Sequence, residues 1–123
     1  MSLIIITYIL KFIIFSTILN VWLFRKNLST PFRGGEAKTL FEEFSVYNLP
    51  AWSFYLIGTL KVLTASLIFL SIWLKSFEEI AILTLIIIMF GSLIMHIKIK
   101  DPIKKSVPAL AVLTILILLY NMI

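Results

Sequence analysis

Apolar residues fall in four long blocks along this chain, at about 3–24, 51–74, 80–97 and 107–123, and the polar residues gather between them. Each block has a length that a helix needs to cross a bilayer, about 17–25 residues. In lipid every backbone N–H and C=O must be satisfied within the segment, which a helix does by itself. The pattern therefore predicts an all-α protein, a four-transmembrane-helix antiparallel bundle, with residues 1–123 forming one membrane domain. The segment 75–79 is short enough to make the second and third spans a hairpin.

The longest polar stretch separates the first two spans. It opens with RKNLSTPFRGG, where Pro31 and the Gly34-Gly35 pair break any helix. The run EAKTLFEEF follows. Ala37, Leu40, Phe41 and Phe44 recur at helical spacing, while Glu36, Lys38, Thr39, Glu42 and Glu43 take the other side. This predicts a short amphipathic helix at about 36–45. It is expected to lie in the membrane interface or to cap the bundle, and a lid over a cavity on that side is the functional alternative.

Composition agrees with the pattern. The chain is 61% hydrophobic and 14% charged, where a soluble domain has about half and about a quarter. The first block lacks a basic leader and a small-x-small cleavage site, so a retained helix is expected rather than a signal peptide. Arg25 and Lys26 stop it. There are no cysteines, which excludes disulfides and thiolate metal sites. One histidine cannot build a metal or haem site alone, and no metal is expected.

Charge then gives an orientation. Eight of the eleven basic residues, Arg25, Lys26, Arg33, Lys38, Lys98, Lys100, Lys104 and Lys105, lie in the first and third connections, and the second connection holds Lys75. The positive-inside rule places the first and third loops in the cytoplasm and both termini outside, in a multi-pass cell-membrane protein. Nucleic acid is not expected as a partner, because the basic residues are split between two juxtamembrane loops that anionic headgroups explain.

Two lysines remain within the spans. Lys11 is about 12 Å from the start of the first span and is expected to snorkel to that interface. Lys61 is deeper, about 15 Å into the second span. Phe54, Gly58, Lys61 and Ala65 share one stripe, with small residues on either side of the lysine. An intramembrane cation is expensive and marks a site by default. The four blocks hold no aspartate or glutamate, so Lys61 is either neutral, paired with a carboxylate from a loop, or holding a carbonyl or anionic ligand. His96 ends the third span, with Ser92 one turn back and Asp101 near enough in sequence to orient it. On the third span Thr84, Ile88, Gly91 or Ser92, and Met95 are expected to form the inner face. On the fourth, Ala111, Thr114 and Asn121 are expected to point inward.

Several segments together resemble the DoxX-like family of small bacterial membrane proteins. They are FRGGEAKTLFEEFSVYNLP, YLIGTLKVLTA, MFGSLIMHIKIKDP and VPALAVL. The resemblance implies a compact four-helix bundle. The family takes its name from a small subunit of a thiosulfate:quinone oxidoreductase, which makes a quinone a candidate cofactor. What carries over is a pattern, Gly58 and Lys61 in the second span and His96, Asp101 and Pro102 after the third.

Three functional readings follow. The first is an accessory or partner subunit of a membrane complex, supported by the small size, the small-residue faces and the lack of a nucleophile–base pair, which leans away from an enzyme. The second is a quinone-linked redox subunit. Its ligand would sit near Lys61 and His96, with Arg33 and Asp101 on the same side and Tyr55 or Trp52 stacking on the ring. The third is a small-solute transporter or channel, which in a chain this short requires homo-oligomers.

Overall fold

The four apolar blocks form four long helices. The computed structural model describes residues 2–24, 26–27 and 31–123. Arg25, expected to stop the first span, lies outside the described residues. Helix α1 is Leu3–Leu19, started by Ser2, whose hydroxyl accepts from the Ile5 N–H, and it runs on as a wider π-helical turn, Asn20–Phe24. Helices α2 (Leu40–Val46), α3 (Ala51–Leu70), α4 (Glu78–Lys98) and α5 (Ile103–Met122) follow. Four segments are long and apolar enough to cross a membrane: Leu3–Phe24, Ala51–Leu70, Lys75–Lys98 and Ile103–Met122.

α1 packs against α3 and α5, and α4 packs against the same two, so the order around the bundle is α1, α3, α4, α5. Neighbours are antiparallel. The core is an apolar column that includes Ile14, Ile18, Ile68, Leu85, Leu116 and Leu119. Large apolar side chains such as Phe12, Ile87, Ile97 and Ile103 cover the outside, as lipid contact requires.

Three boundaries differ from the sequence expectation. The short helix α2 begins at Leu40 rather than near 36. Thr39 caps it by accepting from the Glu42 N–H, and Glu42 reaches back to the Lys38 N–H at 2.8 Å, a variant of the capping box. α3 stops at Leu70, and the chain turns through Ser71 instead of continuing to 74. α5 starts after Pro102, so Pro108 lies inside the helix, where its missing N–H leaves one intrahelical bond unmade.

The inner faces also differ in part. The stripe Phe54, Gly58, Lys61, Ala65 faces inward as expected. On α4, Ser92 turns inward and Ile88 packs against the core as expected, but the buried residues are Ala81, Ile82, Leu85, Met89 and His96. α5 buries Ala109, Val112, Leu113, Leu116 and Leu119, and Ala111, Thr114 and Asn121 face outward. Thr114 and Asn121 satisfy their polar groups on the carbonyls of Leu110 and Ile117 of their own helix, so neither needs the interior.

Lys11 does not snorkel. It is 1% exposed and is paired with Glu78. By the hydrophobic pattern Glu78 falls in the 75–79 connection. Because α4 starts at that residue, its carboxylate stands at the mouth of the bundle and meets the lysine there.

Candidate functional site

At the opposite end of the bundle, α1, α3, α4 and α5 splay around a cavity of about 280 Å³. The π-helical turn of α1 contributes Asn20, Val21 and Trp22. α3 contributes Lys61, and α4 contributes Met89, Ser92 and His96. Pro108, Ala109 and Val112 come from α5, and Phe32 and Arg33 come from the first loop. The two faces of α2 divide the work. Phe44 goes into the core, edge-on to both Trp22 and Phe54. Glu43, expected on the solvent side, is buried and lines the cavity. α2 therefore caps the bundle and closes this end.

Lys61 is 9% exposed. Its ammonium donates to Ser92 Oγ at 3.0 Å and sits 5.5 Å from the centroid of the Trp22 ring, within cation–π range. Among the described residues, Ser92 is its one hydrogen-bond partner. Of the expected carboxylate partners, Glu43 is the acid that shares the cavity with it, too far for an ion pair. Arg33, Lys61 and Lys105 line the same cavity as Glu43, so basic residues outnumber acidic ones in the lining.

His96 anchors a second set of contacts. α4 ends in a Schellman motif: Lys100 takes φ 58, the Asp101 N–H bonds the His96 carbonyl, and the Lys100 N–H bonds the Ile97 carbonyl, both at 3.0 Å. This turn brings the Asp101 carboxylate back onto the His96 ring, Oδ2 to Nδ1 at 2.8 Å. The other Asp101 oxygen accepts from the Gly35 N–H at 3.0 Å, and Lys105 donates to the Gly35 carbonyl. Gly35 has φ +55, a conformation that suits glycine. The first loop is thus pinned over the cavity by the third. α2 ends in the same motif, with Asn48 at φ 62, and this leaves Tyr47 facing His96. The Tyr47 hydroxyl donates to Glu43 Oε1 at 2.5 Å and lies 3.3 Å from His96 Nε2. Burial, then the Glu43 charge and hydrogen bond, push the Tyr47 phenol far above its ordinary value of 10.0, so it stays protonated.

Of the residues singled out from sequence, Lys61, His96 and Arg33 line one cavity, and Asp101 stands directly behind His96. Trp52 and Tyr55 do not join them. They are 66% and 65% exposed on the outer side of α3. The ring in the cavity is Trp22, a residue the sequence pattern did not single out for the site. Glu43, Tyr47 and Lys105 were also missed as site residues. The i, i+4 spacing of Glu43 and Tyr47 was the available signal. Among the described residues, no group of three or more His, Asp or Glu is arranged to hold a metal ion.

The family model for the DoxX-like family matches residues 32–119, more than two-thirds of the chain. This chain belongs to the DoxX-like family. No curated protein and no solved structure matches it. The matched segment of this DoxX-like protein holds Arg33, Glu43, Tyr47, Lys61, Ser92, His96, Asp101 and Lys105. Trp22 precedes it, so the aromatic wall beside Lys61 comes from outside the family segment.

Proposed function

We propose that this protein holds a small apolar molecule bearing an oxygen acceptor, with that oxygen toward Lys61, and serves as an accessory component of a membrane redox system. The observation that carries the reading is the place of Lys61. It is an intramembrane cation in a cavity wall, with one hydroxyl partner and an aromatic face beside it. Such a group is costly to keep unless a ligand or a network uses it. The cavity volume, about 280 Å³, falls just below the range of about 300–1,000 Å³ for drug-sized ligands. It suits a ring with a carbonyl. The family name makes a quinone the first ligand to test.

The test is mass spectrometry of small molecules retained by the protein in mild detergent, beside Lys61→Met. A quinone kept by the wild type and lost from a variant that melts at the same or a higher temperature supports the reading. Absence of any small molecule from both, with another membrane protein co-purifying equally, overturns it in favour of a purely structural partner subunit. One observation supports that second reading: a Cβ built on Gly91, on the side of α4 away from the core, meets nothing within 4 Å, which leaves room for close approach of another helix. The basic first and third loops support an orientation with the cavity end of the bundle in the cytoplasm.

A further inference from the structure

Glu43, Tyr47, His96 and Asp101 form a continuous line of three hydrogen bonds: 2.5 Å from Tyr47 to Glu43, 3.3 Å between Tyr47 and His96 Nε2, and 2.8 Å between His96 Nδ1 and Asp101. Each bond needs one proton. Ionised carboxylates supply none, and a phenol supplies one. If the phenol donates to Glu43 and Asp101 is a carboxylate, both ring nitrogens of His96 must carry protons, one for the Tyr47 oxygen and one for Asp101. His96 is then an imidazolium and Glu43 a carboxylate. With Asp101 kept as a carboxylate and the phenol neutral, the same three protons allow one other complete pattern. Glu43 is protonated and donates to Tyr47, the phenol donates to Nε2, and neutral His96 keeps its Nδ1 proton on Asp101.

The two patterns interconvert by a shift along the line. The Nε2–H bond breaks as a proton bonds the Tyr47 oxygen, and the Tyr47 O–H bond breaks as its proton bonds Glu43 Oε1. No electrons are transferred, and the total charge of the cluster is unchanged. Asp101 is fixed as the acceptor in both, held by the Gly35 N–H. Glu43 and His96 both line the cavity. The charges that face the line are Arg33 from the first loop, Lys61 from α3, Lys98, which donates to the Tyr47 carbonyl, and Lys105 from α5.

We infer that Glu43, Tyr47 and His96 are a proton path opening on the cavity, with Asp101 holding its outer end, and that the path serves a ligand whose oxygen gains or loses a proton when bound. This deepens the ligand-holding reading and rests on it for its purpose. Its test needs no ligand, so the two fail separately.

The chain has one histidine, so in protein labelled with ¹⁵N-histidine every ring signal is His96. The Glu43 carboxyl ¹³C signal is assigned by its loss in Glu43→Gln. Full-length protein in detergent is titrated from about pH 5 to about pH 9, spanning the ordinary range of imidazole. In the wild type, Nδ1 is expected to carry a proton throughout, and the Nε2 and Glu43 signals are expected to shift with shared midpoints, as a coupled pair does. In Tyr47→Phe the shared midpoints separate. The inference is overturned if Nδ1 is bare in the wild type, if Nε2 and Glu43 titrate independently there, or if Tyr47→Phe changes nothing. The first two results come from the wild type alone, so a Tyr47→Phe protein that does not fold leaves the test intact.

Discussion

The ring of Trp22 occupies the space in which residue 58 would carry a Cβ: an atom built there meets the six-membered ring at 2.5 Å. Gly58 is therefore the floor on which Trp22 rests, and Trp22 in turn faces Lys61. Close approach of the two helices depends on that missing methyl. Gly58→Ala must displace the ring, and overpacking of this kind costs about 1–3 kcal/mol. Gly91→Ala is the control, since nothing lies within 4 Å of its Cβ and alanine favours a helix. Thermal unfolding in detergent should show a lower midpoint for Gly58→Ala and an equal or higher one for Gly91→Ala. Equal midpoints for Gly58→Ala and wild type would mean that Trp22 is not seated there.

Lys11 and Glu78 give an asymmetric prediction. The lysine side chain is 1% exposed and the glutamate 15%. Glu78→Gln strands a buried ammonium, and breaking a buried pair in that way costs about 3–5 kcal/mol. Lys11→Met leaves a carboxylate near the helix end that reaches water, and should cost less. The double variant removes both charges and should recover most of the loss. A double-mutant cycle of unfolding free energies checks this. Additive effects of the two single changes would show that the pair is not formed.

Much of this architecture was legible in the sequence, and particular residues show where legibility stopped. The four spans follow from block length, and the inward stripe of α3 follows from periodicity with Lys61 on it. Periodicity failed where a polar group has a local partner. Thr114 and Asn121 look like inward residues because they are polar among apolar neighbours, yet their own helix satisfies them. Glu43 looks like a solvent residue because it is charged, yet Tyr47 four residues on takes its carboxylate inside. The Asp101–His96 contact was within reach, because Asp-Pro forces a turn after the histidine. The pinning of Gly35 by Asp101 and Lys105 was not, since it joins groups more than sixty residues apart.

Tyr47 links stability to alkaline pH. Its folded-state phenol is held above the ordinary value of 10.0 by burial and by Glu43. Below that value both folded and unfolded states are protonated, and the contribution to stability is fully present. Above it the unfolded chain ionises while the folded one does not, so stability falls by about 1.4 kcal/mol per pH unit from this residue. Tyr47→Phe lacks the loss. Melting points of the two proteins measured between about pH 9 and about pH 11 should therefore converge as pH rises. A constant gap would mean that the phenol ionises in the folded state as it does in the unfolded one.

The orientation of the bundle is the last point that chemistry can fix. The chain has no cysteine, so single cysteines report position without interference. Lys100 is exposed beside the cavity end, and Ser76 is exposed at the Lys11–Glu78 end. The positive-inside rule expects the two basic loops to stay in the cytoplasm, because translocating lysine and arginine is disfavoured. A membrane-impermeant maleimide added to intact cells should label Ser76→Cys, while Lys100→Cys should react only after the membrane is opened. The reverse pattern would place Arg33, His96 and Asp101 outside, and any proton reaching His96 would then come from the outer face. Labelling of both sites in intact cells would indicate two orientations in the same membrane, and a single-sided cavity would no longer describe the population.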